Sequence, residues 1–92
     1  MNVVYAPEAV DDLQSSIAHI QERNPAAALK VANKTFAAVS LLARGNVDGP
    51  TVRLSTGEAV RAWHVKPFRL FYVRAGDELR VLRIYHHARR PL

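Results

Sequence analysis

The stretch that decides the fold is residues 59–86, AVRAWHVKPFRLFYVRAGDELRVLRIYH. Its apolar and polar side chains alternate with a period of two, which is typical of β-strands. Lys66-Pro67 breaks the alternation once, and the turn signal Ala75-Gly76-Asp77 breaks it again. A shorter β-prone run at 51–54 comes before, ended by a turn around Gly57. The breaks leave three further predicted strands, at residues 59–65, 68–74 and 79–86.

Upstream of this stretch, apolar residues recur every three and four positions, which predicts two helices. Pro7 suits the first turn of the first helix, where a missing N–H costs nothing. Asn24-Pro25 ends that helix and starts the next, because the residue before proline disfavours the helical region and asparagine is a good N-cap. Gly45 is a suitable C-cap for the second helix. The predicted apolar stripes are Val10, Leu13, Ile17 and Ile20 on the first helix, and Leu29, Ala32, Phe36, Val39 and Leu42 or Ala43 on the second.

The order of these elements predicts a single α+β domain over residues 1–92. A short N-terminal strand at residues 2–5 and an antiparallel helical hairpin pack on a mostly antiparallel sheet of three to four C-terminal strands. Neither face of the predicted strands is purely polar. We therefore expect helices on one face of the sheet and a mixed aromatic and cationic surface on the other.

Charge is distributed unevenly along the chain. The net charge is +5, yet residues 1–52 carry four basic and five acidic side chains, whereas residues 53–92 carry nine basic and three acidic ones. Ten of the 13 cations are arginines, whose planar guanidinium suits phosphate and carboxylate groups, so a polyanionic partner is expected. The chain has no cysteine, which excludes disulfides and thiolate metal sites. No signal peptide or membrane-spanning run stands out, so we expect a cytoplasmic protein without membrane contact.

The order and spacing of several segments resemble the ParE/RelE toxin superfamily, often called plasmid stabilisation proteins, and are closer to ParE. The resemblance covers nearly the whole chain and is carried by its N-terminal and C-terminal thirds. The segments are Tyr5, Pro7-Glu8-Ala9, Asp12-Leu13, Ile17, Ile20, Asn24-Pro25-Ala26-Ala27-Ala28, Val60-Arg61, Phe68-Arg69-Leu70-Phe71-Tyr72, Gly76-Asp77 and Leu82-Arg83-Ile84-Tyr85-His86-His87-Ala88-Arg89.

This resemblance implies a toxin of a bacterial type II toxin–antitoxin system with the RelE/ParE-like fold. Its first partner is then a cognate antitoxin, whose flexible, often acidic and amphipathic segment wraps the toxin in a hetero-oligomer. The cellular target is DNA gyrase for ParE-like members, or messenger RNA on the ribosome for RelE-like members. No cofactor is implied.

The resemblance also suggests site residues. In RelE-like nucleases the arginine of the Phe-Arg-Leu-Phe-Tyr motif, here Arg69, stabilises the cleaved phosphate, and an arginine matching Arg89 neutralises the transition state. The alternatives are that Arg69 pairs with a carboxylate and that Arg89 is a surface cation. His64, His86 and His87 are candidate bases. His86 and His87 are adjacent on a predicted strand and point to opposite faces, so we expect no metal site. Candidate contacts for target or antitoxin are Arg61, Arg69, Arg83, Arg89 and Arg90.

The nuclease machinery is incomplete in this sequence. RelE-like nucleases carry lysines on the strand before the motif, whereas residues 59–65 contain none, and Tyr85 precedes the terminal arginines instead of following them. An arginine is a poor base because it stays protonated. These departures favour a gyrase inhibitor that is not an enzyme. A metal-independent endoribonuclease and a non-toxic, basic antitoxin-binding module remain as alternatives.

Overall fold

The computed structural model describes residues 1–87 and contains two helices and five strands over that range. The elements are β1 (Asn2–Tyr5), α1 (Pro7–Arg23), α2 (Pro25–Ala43), β2 (Thr51–Arg53), β3 (Ala59–Val65), β4 (Phe68–Ala75) and β5 (Glu78–His86). The predicted α+β class and the helical hairpin are confirmed.

All five strands join one sheet in the order β1-β5-β4-β3-β2. The pairs from β2 to β5 are antiparallel, as predicted, whereas β1 runs parallel to β5 and forms one edge of the sheet. The link from β4 to β5 is a two-residue turn that begins with Gly76 at φ +60°, a conformation that glycine adopts without steric cost.

The chain reverses between the two helices of the helical hairpin at a single residue, Asn24. The Asn24 backbone N–H donates to the Ile20 carbonyl at the end of α1, and the Asn24 side chain accepts from the Ala27 N–H, 3.1 Å away, at the start of α2. Pro25 then occupies the first position of α2. The predicted boundary between the helices is confirmed, and the short connection forces the two helices to lie side by side.

The hairpin buries a different face from the one its large apolar residues predicted. Val39 and Leu42 are buried as expected, but Leu29 is 65% exposed and Phe36 is 48% exposed. Mostly smaller side chains fill the buried face of α2 instead, and Leu29 and Phe36 lie on its exposed side. The buried residues of the two helices are Ala9, Ser16, Ala28, Thr35, Ala38, Val39 and Leu42.

The sheet has a core on each of its faces. Phe68, Leu70 and Tyr72 of β4 pack beneath the helices together with residues of β5. Val60, Ala62 and Phe71 form a second cluster on the opposite side of the sheet, which we call the open face. By length and composition alone, α2 is also apolar enough to cross a membrane, which the sequence analysis did not predict; helices of a protein core can meet the same criterion.

The loop between α2 and β2 is fastened to the sheet by a buried tyrosine. The Gly49 N–H donates to the Tyr72 hydroxyl, 2.9 Å away, and that hydroxyl donates to an Asp48 carboxylate oxygen at 3.0 Å. The Arg74 guanidinium pairs with Asp48 and donates to the Leu42 carbonyl at the end of α2, 2.6 Å away. We call this set the loop latch: Asp48, Gly49, Tyr72 and Arg74.

Candidate functional site

An irregularity in β5 decides which residues reach the open face. Phe71 of β4 is paired with Arg83 and Tyr72 with Val81, so Leu82 is an extra residue on β5. The alternation of side chains shifts at this point. Val81 and Ile84 both belong to the core under the helices, whereas Tyr85 packs with the open-face cluster.

Cationic and aromatic side chains lie next to one another across the open face. The register places His64 of β3 opposite Arg69 of β4, and Arg69 opposite Tyr85 of β5. The Arg69 Cζ lies 5.1 Å from the centre of the Phe71 ring, and the Phe71 and Tyr85 rings meet edge to face at 5.4 Å. Such contacts hold a guanidinium in place through the electron-rich ring face.

Two histidines stand at the rim of this array. The His64 and His87 rings are 5.1 Å apart and both residues are exposed. They supply two imidazole rings, but residues 1–87 contain no group of three or more histidine, aspartate, glutamate or cysteine side chains placed to hold a metal ion.

The fold separates the site residues that the sequence predicted, placing some on the open face and one on the opposite face. Arg69, His64 and His87 come together on the open face. His86 lies on the opposite side, where its ring meets Phe68 edge to face at 6.0 Å. Arg89 and Arg90 lie outside the residues that the structure describes.

The other two predicted arginine contacts have structural partners. Arg61 donates to the Gly49 carbonyl, 2.9 Å away, next to the loop latch. Arg83 forms a two-pronged pair with Asp12 of α1, at 2.8 and 3.0 Å, and the Asp12 carboxylate also accepts from the Ile84 N–H. The hydrogen bond with Asp12 raises the pKa of Arg83 above its usual range. Asp12 therefore ties the first helix to the last strand.

The strand before the arginine motif, β3, presents few reactive side chains on the open face. Its open-face positions are Val60, Ala62 and His64, and the first two are buried apolar residues, 2% and 0% exposed. Among these three, only His64 carries a polar side chain. A set of cations that both activates and neutralises a reacting phosphate is not assembled on this strand.

The sequence analysis missed a second candidate surface, because it assigned Val10, Leu13 and Phe36 to the buried apolar stripes of the helices. We call it the apolar hairpin surface: Tyr5, Val10, Leu13, Gln14 and Phe36, which line a shallow apolar pocket of about 250 Å³. Leu29, about two turns before Phe36 on α2, is also exposed. The signal that could have revealed it is the excess of apolar residues on α2, which are too many for one buried stripe.

Comparison with known proteins gives one family and one fold. A family model described as ParE toxin of the type II toxin–antitoxin system parDE matches residues 3–91. A solved structure described as the chromosomal ParDE TA system from P. aeruginosa is similar over 94% of this chain and 95% of that chain, with a TM-score of 0.76 and 23% identity. At this identity the similarity shows the fold alone. No curated protein matches the chain.

Proposed function

The chain belongs to the ParE toxin family of type II toxin–antitoxin systems, and from that premise we propose that it inhibits DNA gyrase in the cytoplasm, without catalysis, until a cognate antitoxin neutralises it. The family implies the antitoxin partner; the target and the mode of action are our proposal.

One observation carries the non-enzymatic reading. Val60 and Ala62 occupy the open-face positions of the strand where RelE-like nucleases carry lysines, and both are packed against Phe71 in the second core. Two apolar residues there leave the open face of β3 without a cation that would help to stabilise a charged phosphorane. Arg61 and Arg83 do not replace them, because each is engaged by the loop or by Asp12.

Gyrase supercoiling in the presence of the purified chain tests this proposal. We expect the chain to reduce supercoiling or to produce gyrase-dependent DNA breaks, and we expect equimolar antitoxin to restore normal activity. Gyrase that is unaffected by a chain shown to be folded by circular dichroism would refute the proposal.

A ribosome-dependent endoribonuclease is the second candidate. It is favoured by the grouping of Arg69, His64 and His87 on one face, since a histidine can act as base where the arginine neutralises charge. Cleavage of messenger RNA on ribosomes by the wild-type chain, lost in His64→Ala, would favour this candidate over gyrase inhibition.

The apolar hairpin surface is where we propose that the antitoxin packs. Val10 of α1 is 38% exposed, and Leu29 and Phe36 of α2 are 65% and 48% exposed. Lys30 and Lys34 also lie on α2. An amphipathic segment with apolar residues on one side and carboxylates beside them is complementary to such a surface. Burial of these side chains by the partner would account for their exposure in the single chain.

Replacing Phe36 by aspartate tests this contact. We expect Phe36→Asp to weaken antitoxin binding by at least roughly 30-fold, because it removes an aromatic anchor and places a charge in an apolar interface. Isothermal titration calorimetry with the antitoxin measures the change. Ala37→Asp adds the same charge at an exposed neighbouring position and should bind within a few-fold of wild type; equal losses in both variants would contradict the assignment.

A further inference from the structure

Arg69 differs from the other arginines of the sheet. Within residues 1–87, Arg69 has neither a hydrogen bond nor an ion pair. Its Nε is buried without a partner, as is the Nε of Arg74, but Arg74 donates through both of its Nη atoms. Its contact is the ring of Phe71. The remaining arginines of the strands each donate to a carboxylate or a carbonyl: Arg53 to Gly57, Arg61 to Gly49, Arg74 to Asp48, Arg80 to Glu78 and Arg83 to Asp12.

The surroundings of Arg69 supply further donors. His64 and Tyr85 flank it on the neighbouring strands, and His87 stands 5.1 Å from His64, ring to ring. Imidazole N–H and phenol O–H groups can all donate to an anion. Because the cation–aromatic contact already orders the guanidinium, binding an anion costs less side-chain entropy than it would for a free surface arginine.

We propose that Arg69, His64, His87 and Tyr85 form a docking site for a phosphodiester group of DNA. The guanidinium presents two parallel N–H groups to the non-bridging oxygens, and the histidines and the tyrosine donate around it. The choice of DNA rests on the proposed action on gyrase, whose substrate is DNA. The excess of basic residues after position 52 favours a polyanion with repeated phosphates over a single carboxylate.

The salt dependence of DNA binding tests this site. We expect the chain to bind a short fluorescent DNA duplex, and we expect Arg69→Ala to bind about tenfold more weakly. The slope of log K against log salt should fall in magnitude by about 0.9, because one phosphate contact is lost. Arg44→Ala removes the same charge from the exposed end of α2 and should change neither quantity beyond error.

A second variant, His64→Ala, keeps the proposal testable if Arg69→Ala proves to be misfolded. His64 is exposed, so His64→Ala should melt like wild type, yet it should bind the duplex about threefold more weakly. Equal affinity and slope for wild type, Arg69→Ala and His64→Ala would overturn the proposal, as would Arg69-dependent binding confined to RNA. Gyrase inhibition that persists together with equal DNA binding would reject this site and leave the proposed function standing.

Discussion

Replacing Gly49 by alanine should destabilise the protein more than any other single methyl group added to it. A Cβ at this position would lie 1.6 Å from the Ala62 carbonyl oxygen, which belongs to the backbone of a central strand and cannot rotate away. The loop would have to retreat from the sheet, and the loop latch would lose the bond from the Gly49 N–H to the Tyr72 hydroxyl. We expect a loss of about 3 kcal/mol or more in the free energy of unfolding.

Chemical denaturation with urea, followed by circular dichroism, measures this loss. Gly76→Ala is the matched control, because it adds the same methyl group at a turn with nothing within 4 Å and only the positive φ to oppose it. That strain costs about 1–2 kcal/mol. A Gly49→Ala variant no less stable than Gly76→Ala would show that the contact with Ala62 is relaxed without cost. For a domain of this size each kcal/mol corresponds to about 4–8 °C in Tm.

Removing the Asp12 carboxylate should have the next largest effect. Asp12→Ala leaves the Arg83 guanidinium and the Ile84 N–H without their acceptor, and the three hydrogen bonds involved are 2.8–3.0 Å long. Water reaches Arg83, whose side chain is 33% exposed, and compensates part of the loss. We therefore expect a decrease of about 2–3 kcal/mol in the free energy of unfolding.

Asp11→Ala is the comparison for this change, since Asp11 is the exposed neighbour on the same helix. Its removal should alter the free energy of unfolding by less than about 0.5 kcal/mol. If the two variants proved equally stable, Asp12 would not be a link between α1 and β5. A double variant with Arg83→Met should lose less than the sum of the single changes, because the methionine leaves no charge to be satisfied.

Gly49 joins the loop after α2 to the sheet, and Asp12 joins α1 to β5. These connections also position the proposed surfaces. Asp12 holds Arg83 at the edge of the open face, where the Arg83 Cζ lies 4.6 Å from the centre of the Tyr85 ring. A variant that loosens α1 would disturb Tyr85 as well as the apolar hairpin surface. Binding data for such variants therefore need a parallel measurement of stability before they are assigned to a contact.

The sequence alone was sufficient for the elements of the fold and for their order. Alternation with a period of two fixed the strands, and Asn24-Pro25 marked the boundary of the helices, because both signals act through neighbouring residues of the chain. The family pattern was also readable, since it consists of short segments at set spacings. The family resemblance suggested Arg69, Arg89, His64, His86 and His87 as site candidates. The structure places Arg69, His64 and His87 on the open face and His86 on the opposite one.

Only the tertiary structure decided which faces are buried. Leu29 and Phe36 have the apolarity of core residues but are exposed, because the face of α2 that packs against its neighbours carries Ala28, Thr35, Ala38, Val39 and Leu42 instead. The extra residue Leu82 in β5 shifted the alternation and turned Tyr85 to the open face. The pairing of Arg83 with Asp12 joins residues 71 positions apart. Sequence periodicity reports the local conformation of each element, whereas these choices depend on the energy of packing one element against another.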